Sequence, residues 1–553
     1  MIRKGTWIGN KRKILLIWII GLSVLWSNPI KGQEGIAHVV VVGFDGLSPD
    51  GLANATTPTF DRLIAEGSSS MHARAVLPTS SSTNWASMIM GAGPEQHGIT
   101  SNAWERDNFT LPAVTQSEDF LFPTIFHLAD AQIPRAEIGT IYHWGGFGRL
   151  FEKSALDYDM NPKTEDETAK VAANYIEKKK PNFTFIHFDH VDHAGHEFGH
   201  GTVDYYKSVE KADMLLGEVM QSIEKSGMAN TTLVIVSSDH GGLGKGHGGE
   251  SLQEIEIPFI LWGKSVKKNY KIRYPIYQYD NAATVAFALG LKTPRAWIGK
   301  PVKSAFVGFE WSDDYPILEQ LKEPIILPKA QGYKKAGGLF DAPALVKMEN
   351  SNETGVIRYT LDGTMPKKDS KSYSAPLKLN ENTVVKSAVF KNGKINSMVA
   401  EAFFRIKPEK IDKPVHYEIF YLEDLSFIPA LDNKKPDKTG YCFEITSDEI
   451  QGLIKQNTVV RFRAQIEIDQ ADSYFFHTRS DDGSQLFIDG QLIVYNDGDH
   501  GVREKDGKID LDSGTYPLEV IWFNGGGSGW LDVFVETGNM PKQILPTSLL
   551  KRD

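Results

Sequence analysis

In chain order, the residues that could do chemistry together are few. They are Asp45, the hydroxyl run 78–83 (PTSSST) with Asn84 behind it, Asp192 and His196, the adjacent pair Asp239-His240, and His247 within Gly246-His247-Gly248-Gly249. Carboxylate and imidazole groups together are the ligands of a borderline metal, and zinc is its usual occupant. Asp192 and His196 are four residues apart, so one helical turn or a tight loop puts both on one face. Asp239 and His240 can serve one ion only where the backbone turns sharply, and the following Gly241-Gly242 permits such a turn. Three aspartates, three histidines and a hydroxyl are enough ligands for two ions. Two metals about 3.5–4 Å apart form the standard clamp for in-line phosphoryl displacement. After His247 the next histidine is His416, so a third histidine required late in the same domain can only be His247. Each residue alone has an ordinary structural role: an Asp after a strand caps a helix or forms a turn, and loop histidines are solvated. Their joint position at strand ends is what points to a metal centre.

Something must hold these residues together, and the first half of the chain reads as alternating strands and helices. Residues 37–44 (AHVVVVGF) form a continuous apolar run ending at Asp45-Gly46, as suits a central parallel strand buried on both faces. Residues 56–67 read as a helix with a Thr/Pro start and a Gly stop. Residues 183–188 and 232–237 are further buried strands, with a long helix expected over 202–226. This β-α alternation predicts an α/β domain with a doubly wound sheet. Such sheets form their sites at the carboxyl ends of strands, just where the acidic and histidine residues fall. The aromatic and Gly-rich stretch His143-Trp144-Gly145-Gly146-Phe147 is a candidate pocket lining.

Residues 38–100 and 183–250 resemble the nucleotide pyrophosphatase/phosphodiesterase branch of the alkaline phosphatase superfamily. The resemblance is carried by the strand-Asp45-Gly46 start, the Asn84 pattern, Gly91-x-x-Pro94-x-x-His97-Gly98-Ile99 and Val191-Asp192-x-x-Gly195-His196. The stretch from Asp239-His240-Gly241 to Gly246-His247-Gly248-Gly249 is also similar to ethanolamine-phosphate transferases that modify lipid anchors. The resemblance implies an alkaline phosphatase-like fold and residue roles. Counted back from Asn84, the nucleophilic position falls on Ser81. Asp45, Asp239, His240 and Ser81 would bind one Zn2+, and Asp192, His196 and His247 the other. Asn84 would donate a hydrogen bond to a phosphoryl oxygen, and His97 would be structural. Two points depart from the pattern. The hydroxyl cluster leaves Ser80 as a rival nucleophile, and Asp189 with His193 repeats the spacing of Asp192 with His196. The Gly195-His196 pair favours the second frame. The mechanism implied is attack by a Ser81 alkoxide, a phospho-seryl intermediate, and hydrolysis by water. Zinc lowers the pKa of a bound water from about 15.7 to about 7, and a coordinated serine is expected to shift in the same sense.

The substrate expected is a phosphate ester. No arginine stands beside Ser81 in the sequence, which leans towards a diester, since a monoester carries more charge. A sulfatase of the superfamily needs a C/S-x-P-x-R motif, and Ser81-Ser82-Thr83-Asn84-Trp85 lacks its Pro and Arg. A phosphotransferase stays open, because hydrolysis and transfer differ only in what attacks the intermediate.

After about residue 306 the pattern becomes short strands and Asp-Gly turns. The divisions expected are an α/β catalytic domain at 36–308, a Pro- and acid-rich linker at 309–325, and all-β sandwiches at 326–406 and 413–553. The first sandwich resembles the C-terminal module of chitobiases and hexosaminidases, through Tyr359-Thr360-Leu361-Asp362-Gly363-Thr364 and Tyr373-x-x-Pro376. The second resembles the PA14 domain, through Ser480-Asp481-Asp482-Gly483, Asp489-Gly490 and Asn496-Asp497-Gly498. Lectins of that type imply Ca2+ and carbohydrate at Asp481-Asp482; the ordinary reading is hairpin turn chemistry. Work near a polysaccharide or glycan follows from either module. A reading of another class is a carbohydrate-binding surface protein whose first domain is inactive, and the intact ligand set stands against it.

The whole-chain properties fit these expectations. With 553 residues the chain is too long for one ordinary core. A formal net charge of −10 argues against a nucleic-acid scaffold, though not against a small phosphate bound through metal ions. Residues 1–32 place a basic stretch before an apolar run at 14–26, too short to span a bilayer comfortably, and read as a secretory signal peptide; an uncleaved membrane anchor is the alternative. The protein is therefore expected to be exported: periplasmic, cell-surface or secreted. The single cysteine, Cys442, can form no internal disulfide and is expected to be a small buried hydrophobe.

Overall fold

The computed structural model describes residues 33, 35–117, 119–310, 315, 317, 321–328, 336–407, 413–527 and 529–552. The expected signal segment, and residues 311–314, 316 and 318–320 of the expected linker, lie outside these residues. Eight strands form the N-terminal sheet: β1 His38–Phe44, β2 Ser68–Arg74, β3 Ile138–Tyr142, β4 Tyr158–Met160, β5 Phe183–Phe188, β6 Thr232–Ser238, β7 Glu256–Gly263 and β8 Tyr270–Lys271. Their order is β4-β3-β5-β1-β6-β7-β2-β8. The apolar run at 37–44 becomes the centre of the sheet, parallel to β5 on one side and β6 on the other. Only β7 reverses, pairing antiparallel with β6 and β2, which makes the sheet mixed.

The unbroken valine run is explained by cover on both faces. Val39 and Val41 pack into a core with Trp85 of the helix Ser81–Met90 and Val285 of the helix Asp280–Leu289. Val40 and Val42 point the other way, into a core with Tyr205, Val209 and Leu216 of the helix Val203–Lys225. Alternate residues of a strand face opposite sides, and each fully buried Val contributes about 1.5–3 kcal/mol. The helix Pro58–Glu66 starts on Pro and stops at Gly67. Together these elements set the ends of β1, β5 and β6 side by side, where Asp45, Asp189 and Asp239 emerge.

Two all-β sandwiches follow. One pairs a sheet containing Val356–Thr360, Thr383–Lys391 and Ala400–Ile406 with a three-stranded sheet around Ala344–Glu349. The other pairs a seven-stranded sheet, centred on Thr458–Ile468 and Gly514–Asn524, with a four-stranded sheet around Asp472–Asp481 and Trp530–Thr537. The turns at Asp482-Gly483 and Asp489-Gly490 separate strands as their composition predicts. Cys442 is fully buried in the second sandwich core, and burial pushes its thiol up.

The sandwiches are fastened to one another through a buried cation. Arg405 of the first is fully buried and pairs with Glu444 at 2.9 Å and Asp532 at 2.7 Å in the second. Val384 and Phe403 of the first share an apolar cluster with Phe534 and Ile544 of the second. Among the described residues no helix is long and apolar enough to cross a membrane.

Candidate metal centre

Asp45 follows β1 directly, and its position depends on two glycines and a tryptophan. Gly46 takes a left-handed φ of +68° that turns the chain out of the strand. Its N–H then donates to Asp239 Oδ1 at 3.1 Å, so the two aspartates face each other across the β1–β6 pair. Trp85 Nε1 donates to Asp45 Oδ2 at 3.0 Å. Its ring lies over β1 at Gly43, where a methyl group would come within 2.5 Å of the indole.

Asp239 and His240 leave β6 together and both are fully buried. His240 Nε2 lies 3.2 Å from Asp239 Oδ2 and 3.4 Å from Asp45 Oδ1. Its Nδ1 faces the Gly241 carbonyl at 2.8 Å, which leaves Nε2 as the ligand atom. The expectation that Gly241-Gly242 supply a sharp turn is corrected. Neither adopts a left-handed φ; both are glycine for want of room. A methyl group on Gly241 would lie 2.1 Å from the Gln253 carbonyl, and one on Gly242 2.1 Å from His200 Nε2.

A second set adjoins the first. Asp192 and His196 lie one turn apart on the helix His190–Phe198, with His196 Nε2 3.2 Å from Asp192 Oδ2. His247 Nε2 approaches Asp192 Oδ1 at 3.8 Å, and its ring stacks on His240 at 3.7 Å between centroids. His247 Nδ1 faces the Thr79 carbonyl at 2.8 Å. Ligand atoms of Asp45, Asp239 and His240 fall within 4.8 Å of one another, as do those of Asp192, His240 and His247. His240 therefore stands where the two sets meet.

The electrostatics of the cluster suit cations. Burial, with the like charges of Asp45 and Asp192, pushes the Asp239 carboxyl well above the usual range. Burial also pulls the His240 imidazole down to about 4. Burial works to raise Asp192, yet the imidazoles of His247 and His196 hold it well below the ordinary carboxylate range. Asp192 in turn raises His196 to about 9. Asp45 Oδ1, Asp192 Oδ1 and Asp239 Oδ2 are buried and find no hydrogen-bond donor among the described residues. Buried carboxylate oxygens without donors are costly unless a cation meets them. The donor set fits divalent metal binding.

The hydroxyl run starts the helix Ser81–Met90, and that start separates the two serine candidates. Ser80 is the N-cap, and its hydroxyl pairs with Thr83 Oγ1 at 2.8 Å, away from the metal-binding groups. Ser81 is the first helical residue, and its Oγ lies 3.3 Å from His240 Nε2. The shifted frame also parts. His193 is 76% exposed and pairs with Glu197, whereas Asp189 is drawn in beside Asp45 and His187. His97 sits buried between Ser87 Oγ and the Ile99 N–H, and burial holds it neutral with a pKa of about 3.

Asn84 does not take the role expected of it. It is fully buried, its Nδ2 is turned to the carbonyls of Val76, Pro78 and Ser80, and its Oδ1 accepts the Val76 N–H. The carboxamide ties down the loop before the helix Ser81–Met90 and has no donor left for a substrate. A polar side chain beside Ser81 is Asn102, whose Oδ1 accepts the Ser82 N–H at 2.8 Å. Its only local signal was its place three residues after His97-Gly98-Ile99.

The sequence also concealed an arginine. Arg149, distant in the chain, donates to Ser82 Oγ at 2.9 Å and to the Asn102 carbonyl, and it pairs with Glu105. The expectation that no arginine stands beside Ser81 holds along the chain and fails in space. In the second sandwich, Asp482 accepts backbone N–H groups from His500 at 3.1 Å and Gly525 at 2.8 Å, a turn-forming role. Asp481 is buried beside it, and its carbonyl accepts Trp522 Nε1 at 3.1 Å.

Three family models match the chain. Residues 39–244 match type I phosphodiesterase / nucleotide pyrophosphatase, 335–401 the chitobiase/beta-hexosaminidase C-terminal domain, and 412–544 the PA14 domain. A venom phosphodiesterase of Crotalus durissus collilineatus is 25% identical over 221 residues, which are 37% of this chain and 26% of that protein. Human ectonucleotide pyrophosphatase/phosphodiesterase family member 5 is 23% identical over 237 residues, 41% of this chain and 50% of that protein. The solved structure of the human family member 5 superposes with a TM-score of 0.43 at 16% identity, covering 49% of this chain and all of the other. The chain thus spans between a quarter and a half of the length of these curated relatives.

Proposed function

We propose, from an α/β domain whose residues 39–244 match the type I phosphodiesterase / nucleotide pyrophosphatase family model, that this protein is an exported two-zinc hydrolase cleaving phosphate diesters through a phospho-seryl intermediate. The observation that carries the reading is Ser81 Oγ, 3.3 Å from His240 Nε2 at the N-terminus of a ten-residue helix and beside two abutting Asp/His sets. Asp45, Asp239, His240 and Ser81 would hold one ion, and Asp192, His196 and His247 the other. Bound zinc supplies Lewis-acid charge that acidifies a coordinated hydroxyl and stabilises the oxygens around phosphorus. Ser81 Oγ attacks phosphorus in line with the leaving alcohol and forms the phospho-seryl ester. Water then attacks from the side the alcohol has left and frees Ser81. Asn102 can turn its Nδ2 to an equatorial phosphoryl oxygen while its Oδ1 stays on Ser82 N–H. The positive end of the helix faces the same charge.

Arg149 bears on the choice of ester. Its charge is already matched by Glu105, so the pair adds little net charge for the second ionisation of a monoester. That supports the diester. A phosphotransferase would use the same residues and differ only in the acceptor that replaces water. The chitobiase-type and PA14 matches support a glycan setting, with Asp481 and Asp482 as the residues a Ca2+ ion and a sugar would meet. Assay of bis-p-nitrophenyl phosphate against p-nitrophenyl phosphate and p-nitrophenyl sulfate, with and without Ser81→Ala, tests the reading. Diester turnover lost in the variant supports it. Absence of turnover of any ester with zinc added would leave the carbohydrate-binding protein with an inactive α/β domain.

A further inference from the structure

The segment that carries His247 is held from two sides, and one side comes from the far end of the chain. Within the α/β domain, Thr79 fastens it: the Thr79 carbonyl faces His247 Nδ1, and Thr79 Oγ1 accepts the Gly248 N–H and donates to the Gly249 carbonyl, each at 2.8–2.9 Å. On the opposite side lies the loop 497–503 of the PA14 sandwich. A methyl group added at Gly501 would lie 2.5 Å from the His247 carbonyl oxygen and 3.6 Å from its nitrogen. One added at Gly246 would lie 3.3 Å from Asp481 Oδ2, and Glu250 attracts Arg503 across the same seam.

The loop that presses on His247 is itself braced. Asp482 Oδ1 accepts the His500 N–H at 3.1 Å, Arg503 Nε donates to Asn496 Oδ1 at 2.8 Å, and Arg503 Nη2 donates to the Asp497 carbonyl at 3.0 Å. Gly501 does not adopt a left-handed φ, so nothing in its own backbone calls for glycine. What excludes a side chain there is the backbone of His247.

We propose that the PA14 sandwich is a structural part of the metal centre, and that Gly501 is a positioning residue that sets His247 against Thr79. The proposal rests on the reading of His247 as a metal ligand. Groups that orient a ligand typically alter metal affinity by about 10–100-fold when changed, so an effect on one ion is expected without a direct contact.

The test is a zinc titration of the full chain, after chelation, with bound zinc counted by mass spectrometry and melting recorded in parallel. The chains compared are the natural one, His247→Ala, Gly501→Ala, Gly501→Val and Gly526→Ala. Gly526 lies in the same sandwich, and a methyl group there meets nothing within 4 Å. The natural chain and Gly526→Ala are expected to bind two zinc ions, and His247→Ala one. Gly501→Ala is expected to bind one of the two about tenfold less tightly, and Gly501→Val to lose it, with melting of the zinc-free chains unchanged. If Gly501→Val fails to fold, Gly501→Ala decides. Both Gly501 variants binding two ions as the natural chain does, while His247→Ala loses one, would overturn the inference and leave the metal reading standing. Equal weakening at both sites that follows a fall in melting temperature would overturn it too. Two ions retained by His247→Ala would remove the ligand reading and the inference with it.

Discussion

Trp85 and Asp45 form a direct link between the core and the metal centre: the indole N–H donates to Asp45 Oδ2 at 3.0 Å while the ring packs over Gly43. One side chain thereby fixes the depth of the helix Ser81–Met90 on β1 and the orientation of the Asp45 carboxylate, a candidate ligand. Trp85→Phe keeps an aromatic ring in the core and removes the donor. Zinc at the Asp45 site is expected to bind about tenfold less tightly, and chelator competition measures it. Unchanged affinity would show that the Asp45 carboxylate is oriented by His187 and His240 without the indole.

The two serines at the helix start are expected to separate cleanly. Ser81→Ala should abolish diester turnover with the melting curve preserved. Ser80→Ala should keep turnover and lose about 0.5–1.5 kcal/mol of stability, the net worth of one hydrogen bond, since the Ser80 hydroxyl caps no helix N–H and pairs with Thr83 Oγ1 instead. Steady-state rates and urea unfolding of both variants check this, and activity in Ser81→Ala would reassign the nucleophile.

The two asparagines should divide in the opposite sense. Asn84→Ala leaves the carbonyls of Val76 and Pro78 and the Val76 N–H without their buried partner, while the Ser80 carbonyl keeps the residue 84 N–H, at about 1–3 kcal/mol for each group left unsatisfied. Asn102→Ala leaves one N–H, that of Ser82, without its acceptor, a smaller loss of about 1–3 kcal/mol, and should lower kcat by about 10²–10³-fold, as loss of an oxyanion donor does. A kinetic effect confined to Asn84→Ala in still-folded protein would count against the role given to Asn102.

Acid should weaken the seam between the two sandwiches. Burial works to raise Glu504, but His477, Arg479 and Lys542 outweigh it and hold the carboxyl low; Glu401 is held low by Arg479 and Lys386 against the same burial. A depressed carboxyl pKa stabilises the fold at pH above the unfolded value of about 4.3, and the contribution is lost as pH falls through the folded one. Melting temperature should therefore fall steeply below about pH 4.5 in the natural chain. Glu504→Gln should melt lower at neutral pH and respond less to acid. Equal slopes would mean that the seam does not set acid stability.

How much of this could be read from the chain depends on how local the cause is. The central strand was legible because four consecutive valines suit only a strand covered on both faces, and it spans His38–Phe44. The candidate ligands were legible because Asp45 and Asp239 follow apolar runs directly, and Asp192 and His196 share a helical turn. Those are statements about neighbours in sequence. The choice between Ser80 and Ser81 was not legible, since it depends on which residue opens the helix. Asn84 misled because its side chain answers to a loop behind the helix rather than to the site in front of it.

What the sequence by itself determined is the order of elements and the chemistry offered at their ends, since apolar period and residue type are properties of the chain alone. What only the tertiary structure decided is which groups converge. Arg149 reaches Ser82 from 67 residues away, and the Gly501 loop lies against His247 across two domains. Such contacts come from the packing of separate elements and domains, and neither period nor spacing along the chain encodes them.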